Sequence, residues 1–136
     1  MNKTGGDASV RRFILIEELD KVEKGKLSHN ISYGLQSADD SSLTHWNGSI
    51  ISPSGRIYFL SLTCGPNYPN TPPVVQFRSK INLPSVNQST GVVDMSKVAG
   101  IKNWNPKMRI EIVLQELLND IVKHKNLQQP PEGSEF

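Results

Sequence analysis

Two hydrophobic rhythms follow one another along this chain, and their order predicts an α+β domain. Between Val10 and Lys24 the apolar residues keep helical spacing: Leu15, Leu19 and Val22 share a stripe, with Ile16 at its margin. Ser9 is placed to cap that helix and Gly25 to stop it. Phe13 and Ile14 fall away from the stripe on either side, so a large aromatic is predicted to point off the core face early in the helix. Period two then takes over. Ile31, Tyr33 and Leu35 alternate with Ser32 and Gly34, and Trp46, Gly48 and Ile50 with His45, Asn47 and Ser49. Tyr58, Leu60, Leu62 and Cys64 alternate with Ile57, Phe59, Ser61 and Thr63, and a short fourth run covers residues 74–77. Turn-forming clusters, Asp39-Asp40-Ser41-Ser42 and Ser52-Pro53-Ser54-Gly55, join the runs into an antiparallel meander. Such a sheet buries one face and wets the other, which here carries Ser32, Gly34, Asn47, Ser49, Ile57 and Phe59.

No period survives from Lys80 to Lys107, an excursion holding Leu83-Pro84 and Trp104-Asn105-Pro106; connections of that length tend to be functional. Helical spacing returns near Met108 and lasts to about His124, with Ile110, Val113, Leu114, Leu117 and Ile121 directed at the sheet. The organisation expected is a mobile segment 1–8, one domain over 9–127 and a polar tail 128–136, its Gln128 to Gly133 stretch disordered.

Composition narrows the function classes. At 136 residues the chain suits one domain with a sizeable core. Its net charge of +2 is small and its basic residues are interspersed with acidic ones, so binding to a nucleic-acid backbone is not indicated. A single cysteine cannot form an internal disulfide, and no apolar leader or membrane-length run is present; the expected location is cytosolic or nuclear. Three Asn-x-Ser matches, at Asn30, Asn47 and Asn87, are read as chance in that setting. His29, His45 and His124 show no spacing for a metal or a triad.

One motif is more specific. Cys64 closes the third run, and Gly65-Pro66-Asn67-Tyr68-Pro69-Asn70-Thr71-Pro72-Pro73 follows directly. Helix, meander, Tyr-Pro-x-x-Pro-Pro, long loop with tryptophan, helix: this order resembles the ubiquitin-conjugating-enzyme fold. Phe13 with Glu17-Glu18-Leu19, Leu43-Thr44-His45-Trp46, Lys80-Ile81-Asn82, Val113-Leu114-Gln115-Glu116-Leu117 and Pro130-Pro131-Glu132-Gly133 narrow the likeness. Over about residues 10–133 the chain is similar to the catalytically inactive ubiquitin-conjugating-enzyme variants of the Mms/Uev type. Its fold class on this reading is α+β, without the last C-terminal helices of active members.

The departures from active enzymes matter chemically. Where the family has a Gly-x-Ile-Cys-Leu-Asp-like stretch, this chain reads Thr90-Gly91-Val92-Val93-Asp94. Thioester transfer needs a thiolate, which that stretch lacks. Leu83-Pro84-Ser85 replaces the family's His-Pro-Asn, whose amide steadies a developing oxyanion, an effect of about 2.7–4 kcal/mol.

The resemblance therefore implies a binding protein with no catalytic residue, cofactor or metal. Its partners would be an active ubiquitin-conjugating enzyme, in a heterodimer, and an acceptor ubiquitin held non-covalently so that its lysine sixty-three meets the partner's thioester. Ligases would reach the complex through the partner. Partner contacts implied are Phe13, Tyr68, Pro69 and Asn70, with a cis Tyr68–Pro69 peptide; acceptor contacts are Ser32, Thr44, Ser49 and Ile57. Each has a plainer reading: Phe13 as cover for a helix–sheet seam, the proline turn as structure, Ile57 as an isolated exposed aliphatic. Two other classes remain open, a stand-alone ubiquitin or peptide receptor of endosomal-sorting type and an active enzyme using Cys64.

Overall fold

The computed structural model describes residues 8–136. Of the segment expected to be mobile, residues 1–7 lie outside that range, and Ala8 is already helical. Helix α1 spans Ala8–Glu23 and ends as the glycine predicted: Gly25 takes φ +66° and donates to the Val22 carbonyl, while Lys26 N–H reaches back to Lys21 O. This paired closure satisfies carbonyls that the helix end leaves open. Ser9 lies within the helix, one residue past Ala8.

The buried face of α1 is rotated from the expected stripe. Ile14, Leu15 and Glu18 are buried, Leu19 and Val22 are half-buried, and Ile16 is exposed. The centre of the face is occupied by charged residues, Arg11 and Glu18, which an apolar count passes over.

Strands β1 (Ile31–Leu35), β2 (His45–Ile51), β3 (Ile57–Thr63) and β4 (Val74–Phe77) form an antiparallel sheet in sequence order. The register sets Ser32 opposite Ser49 and Ser49 opposite Phe59, with Tyr33, Trp46, Leu60 and Phe77 turned to the core. Helix α2 (Ile110–Lys123) starts two residues later than its pattern suggested, and it packs Val113, Leu114 and Leu117 on the sheet. Gly48 allows that approach: a Cβ there would stand 2.9 Å from Leu60 Cδ1 and 3.3 Å from Leu114 Cδ2. Each large apolar side chain buried this way stabilises by about 1.5–3 kcal/mol.

The aperiodic stretch is pinned to the core by Ile81, Leu83, Val86, Val93, Val98 and Ile101, with one 3-10 turn at Met95–Lys97 capped by Asp94. The first connecting turn hangs on Asp40, whose carboxylate accepts from the N–H groups of Ser42, Thr44 and His45, each at 3.0 Å. Those bonds, that of His45 first, hold its pKa down to about 2.

The tail is a correction. Residues 128–136 are tied down: Asn82 and Gln129 exchange amide hydrogen bonds at 2.7 and 3.0 Å, and Arg56 Nη1 donates to Pro130 O at 2.6 Å. Lys80 N–H donates to Ser134 O and Phe136 N–H to Arg78 O, bridging the segment to the end of β4. Disorder was expected because the segment is polar; its order comes from side-chain and main-chain hydrogen bonds to residues far away in sequence.

Candidate functional site

Nucleophilic chemistry has little to work with. Cys64 is fully buried at the end of β3, and burial pushes its thiol well above the ordinary range, Arg11 opposing only partly. A cleft of about 260 Å³ lies between Pro84 and Lys97, along the loop where the resemblance would place a thiol. Two of its polar side chains, Ser85 and Asp94, are committed elsewhere. Ser85 Oγ donates to Asp120 Oδ2 at 2.8 Å, and Asp94 accepts from Ser96 Oγ at 2.6 Å. His124 Nδ1 stands 3.4 Å from Asp120 Oδ1, so the order is Ser–Asp–His. No imidazole touches the hydroxyl, and the cluster pins loop to helix without activating an oxygen. Among the described residues no three His, Cys, Asp or Glu groups gather as metal ligands.

The first surface with a distinctive composition is on α1. Phe13 is 63% exposed, and Val10 and Ile16, three residues to either side, are exposed as well, which gives an apolar ridge one helix face wide. Its base is rigid. Arg11 donates from Nη1 to Ser42 O and from Nη2 to Cys64 O, both at 2.7 Å, and from Nε to Gly65 O at 2.9 Å. Arg12 Nη1 adds a bond to Ser41 O at 2.7 Å.

Tyr68 and Pro69, expected as partner contacts, are both buried. Their peptide is cis as anticipated. The Tyr68 ring lies 6.2 Å from that of Trp104, whose indole N–H donates to Pro69 O at 2.7 Å. These residues shape the turn from inside; Asn70 alone of the three is exposed.

Beneath α1 sits a group that sequence reasoning treats only as part of a motif. Glu18 accepts from Tyr68 Oη through Oε2 and from Ile110 N–H through Oε1, both at 2.7 Å. It thereby caps α2, whose own N-cap residue Arg109 makes no side-chain cap bond, and joins both helices to the proline turn. Burial raises its pKa from 4.5 to about 7 against those bonds and the nearby Arg109 and Lys21.

The second surface is the outer face of the sheet. Ser32, Ser49 and Ile57 share it, as the alternation predicted. Thr44 does not. It precedes β2, and its hydroxyl accepts from Arg11 Nη2 at 3.2 Å, toward α1. A Leu-Thr-His-Trp match places it in the chain without fixing its direction. Phe59, 55% exposed between Ser49 and Ile57, belongs to this face but was not among the expected contacts; its signal was the alternation itself. An open groove of about 590 Å³ on this face is lined by Ser32, Asn47, Ser49 and Phe59, with Arg78 and Glu135 as its charged rim.

Comparison with known proteins matches residues 15–134 to the family described as ubiquitin-conjugating enzyme. The chain is 44% identical over 133 residues to ubiquitin-conjugating enzyme spm2 of Schizosaccharomyces pombe, covering 93% of this chain and 96% of that one. It is equally identical, with the same coverage, to ubiquitin-conjugating enzyme variant MMS2 of Saccharomyces cerevisiae. Ubiquitin-conjugating enzyme E2 variant 1C of Arabidopsis thaliana is 42% identical over 133 residues, covering 93% of this chain and 92% of its own. Among solved structures, human ubiquitin-conjugating enzyme E2 G1 superposes with a TM-score of 0.70 at 24% identity, over 82% of this chain and 93% of that one. That likeness concerns the fold.

Proposed function

The chain belongs to the ubiquitin-conjugating enzyme family, and from that premise we propose that it is a non-catalytic variant subunit which holds and aims an acceptor ubiquitin. Its partner would be an active, cysteine-bearing conjugating enzyme, docked on the α1 ridge around Phe13. The product would be a chain linked through lysine sixty-three, the acceptor lysine that such a docking would turn toward the partner's thioester.

The observation that carries this reading is the placement of the only thiol, buried behind the sheet with its ionisation suppressed. A protein unable to present a thiolate contributes by positioning. Fixing the acceptor turns a bimolecular search into a near-unimolecular attack, an effect that can supply several kcal/mol with no acid, base or metal. Two surfaces of suitable character, the ridge on α1 and the outer sheet face, lie on different elements, so one subunit can hold both partners at once. The ridge has the form of an interface anchor: an aromatic on a helix locked in place by arginine bonds.

Reconstitution tests it. Combined with a conjugating enzyme, activating enzyme and ubiquitin, the wild-type chain is expected to yield lysine-sixty-three-linked products. Phe13→Ala is expected to abolish heterodimer formation, and Ile57→Ala to spare the heterodimer while slowing chain growth. A reducible ubiquitin adduct on Cys64, formed with no other conjugating enzyme present, overturns the proposal.

A further inference from the structure

Strands β3 and β4 slip out of step at Phe59. Leu60 faces Phe77 across the ladder, but the next carbonyl, that of Phe59, accepts from both Arg78 N–H at 2.8 Å and Ser79 N–H at 3.1 Å. Phe59 N–H in turn donates to Ser79 Oγ at 2.8 Å. Two residues oppose one, which is a β-bulge, a device that bends a strand and re-aims its side chains, often beside functional sites. On the far side of the bulge the C-terminal segment bonds to Arg78 and Lys80. Phe59, Arg78, Ser79 and Glu135 all line the groove already described.

An aromatic that is 55% exposed at mid-strand is costly to leave in water, and it is not isolated. Ile57 continues the apolar surface two residues along the same face, and Ser49 of β2 and Ser79 just past β4 flank Phe59. An apolar centre with a polar border is the composition of a recognition surface. We propose that Phe59 is the residue that anchors the acceptor ubiquitin in this groove and so sets the subunit's affinity for it, an inference that rests on the acceptor-holding function proposed above. The occupant is an apolar patch on ubiquitin, because the groove is continuous with Ser32, Ser49 and Ile57, the expected acceptor contacts that the register brings together. One charge of each sign on the rim gives the docked acceptor a preferred rotation, while the ring gives it a position.

The experiment is a titration of isotope-labelled ubiquitin with the heterodimer, read by chemical shift, alongside chain-synthesis kinetics at varied acceptor concentration. Phe59→Ser is expected to weaken binding and raise the acceptor KM by about tenfold, the loss typical of a central interface aromatic, with kcat and heterodimer affinity unchanged. Phe59→Leu is expected to recover most of that loss. Val74→Ser, at a position 60% exposed on the same face but outside the groove, is expected to change nothing. Phe59 points outward, so these substitutions leave the core intact. Wild-type binding and chain synthesis matched by Phe59→Ser overturn this inference and leave the proposed function standing. An equal loss in Val74→Ser removes the assignment to Phe59. A wild-type heterodimer that neither binds ubiquitin nor extends chains removes both.

Discussion

Replacing Glu18 with glutamine keeps the side chain's shape and removes its charge, which isolates what the buried carboxylate does to folding. Burial raises its pKa from the ordinary 4.5 to about 7 in the fold. Between those pH values the folded protein binds more protons than the unfolded one, so stability must fall as pH rises through the window and level off above it. At 1.36 kcal/mol per pH unit, the ionised carboxylate weighs against the fold by about 3 kcal/mol at neutral pH relative to pH 4.5. Glutamine does not titrate. Its oxygen can still accept from Ile110 N–H, and the Tyr68 hydroxyl can rotate to accept from the amide. Urea unfolding followed by the fluorescence of Trp46 and Trp104, at half-unit steps from pH 4.5 to 7.5, is the assay. Wild type is expected to lose about 3 kcal/mol more across that range than Glu18→Gln does. Parallel stability curves for the two proteins refute the reasoning, since every other titrating group is common to both. Glu18→Ala behaves differently: it strands a buried N–H and a buried hydroxyl, at about 1–3 kcal/mol each, and destabilises at every pH.

Arg11→Ala removes three short main-chain bonds from the docked helix, and about 2–4 kcal/mol of stability is expected to go with them in the same assay. Gly48→Ala forces Leu60 and Leu114 apart and is expected to cost about 1–3 kcal/mol, read as a lowered melting temperature. Cys64→Ala leaves only a small gap behind the sheet and is expected to sustain wild-type chain synthesis in the reconstituted system; loss of activity with the fold intact would restore a role for the thiol. Phe13→Ala is expected to push heterodimer binding beyond detection in calorimetry, a loss of at least about 2 kcal/mol, while unfolding like wild type, because the ring is solvent-exposed in the free subunit.

What was legible in the sequence follows from what each signal measures. Alternation from Ile31 to Phe77 and the helical repeat from Ile110 to Ile121 read correctly, because there apolarity and burial coincide. They part company on α1, where Arg11 and Glu18 are drawn inward by carbonyls and N–H groups supplied by distant residues. The tail was misread for a related reason: Gln129 finds its partner 47 residues away and Arg56 reaches 74 residues ahead, distances at which no local pattern speaks. In the candidate site, strand parity placed Ser32, Ser49 and Ile57 together and also marked Phe59, whereas Thr44, Tyr68 and Pro69 came from motif likeness. A motif locates a residue along the chain but does not say whether its side chain faces solvent, as the burial of Tyr68 and the turn of Thr44 toward Arg11 make plain.

The two arginines of α1 address mainly main-chain oxygens, those of Ser41, Ser42, Cys64 and Gly65. Backbone carbonyls are the same whatever side chain accompanies them, so this docking arrangement is indifferent to identity at Ser41, whereas the Ser42 hydroxyl also bonds Asp40 and Thr44. Ser41 is free to drift over evolutionary time or in a saturation library, while the Arg12 guanidinium that grips its carbonyl is not.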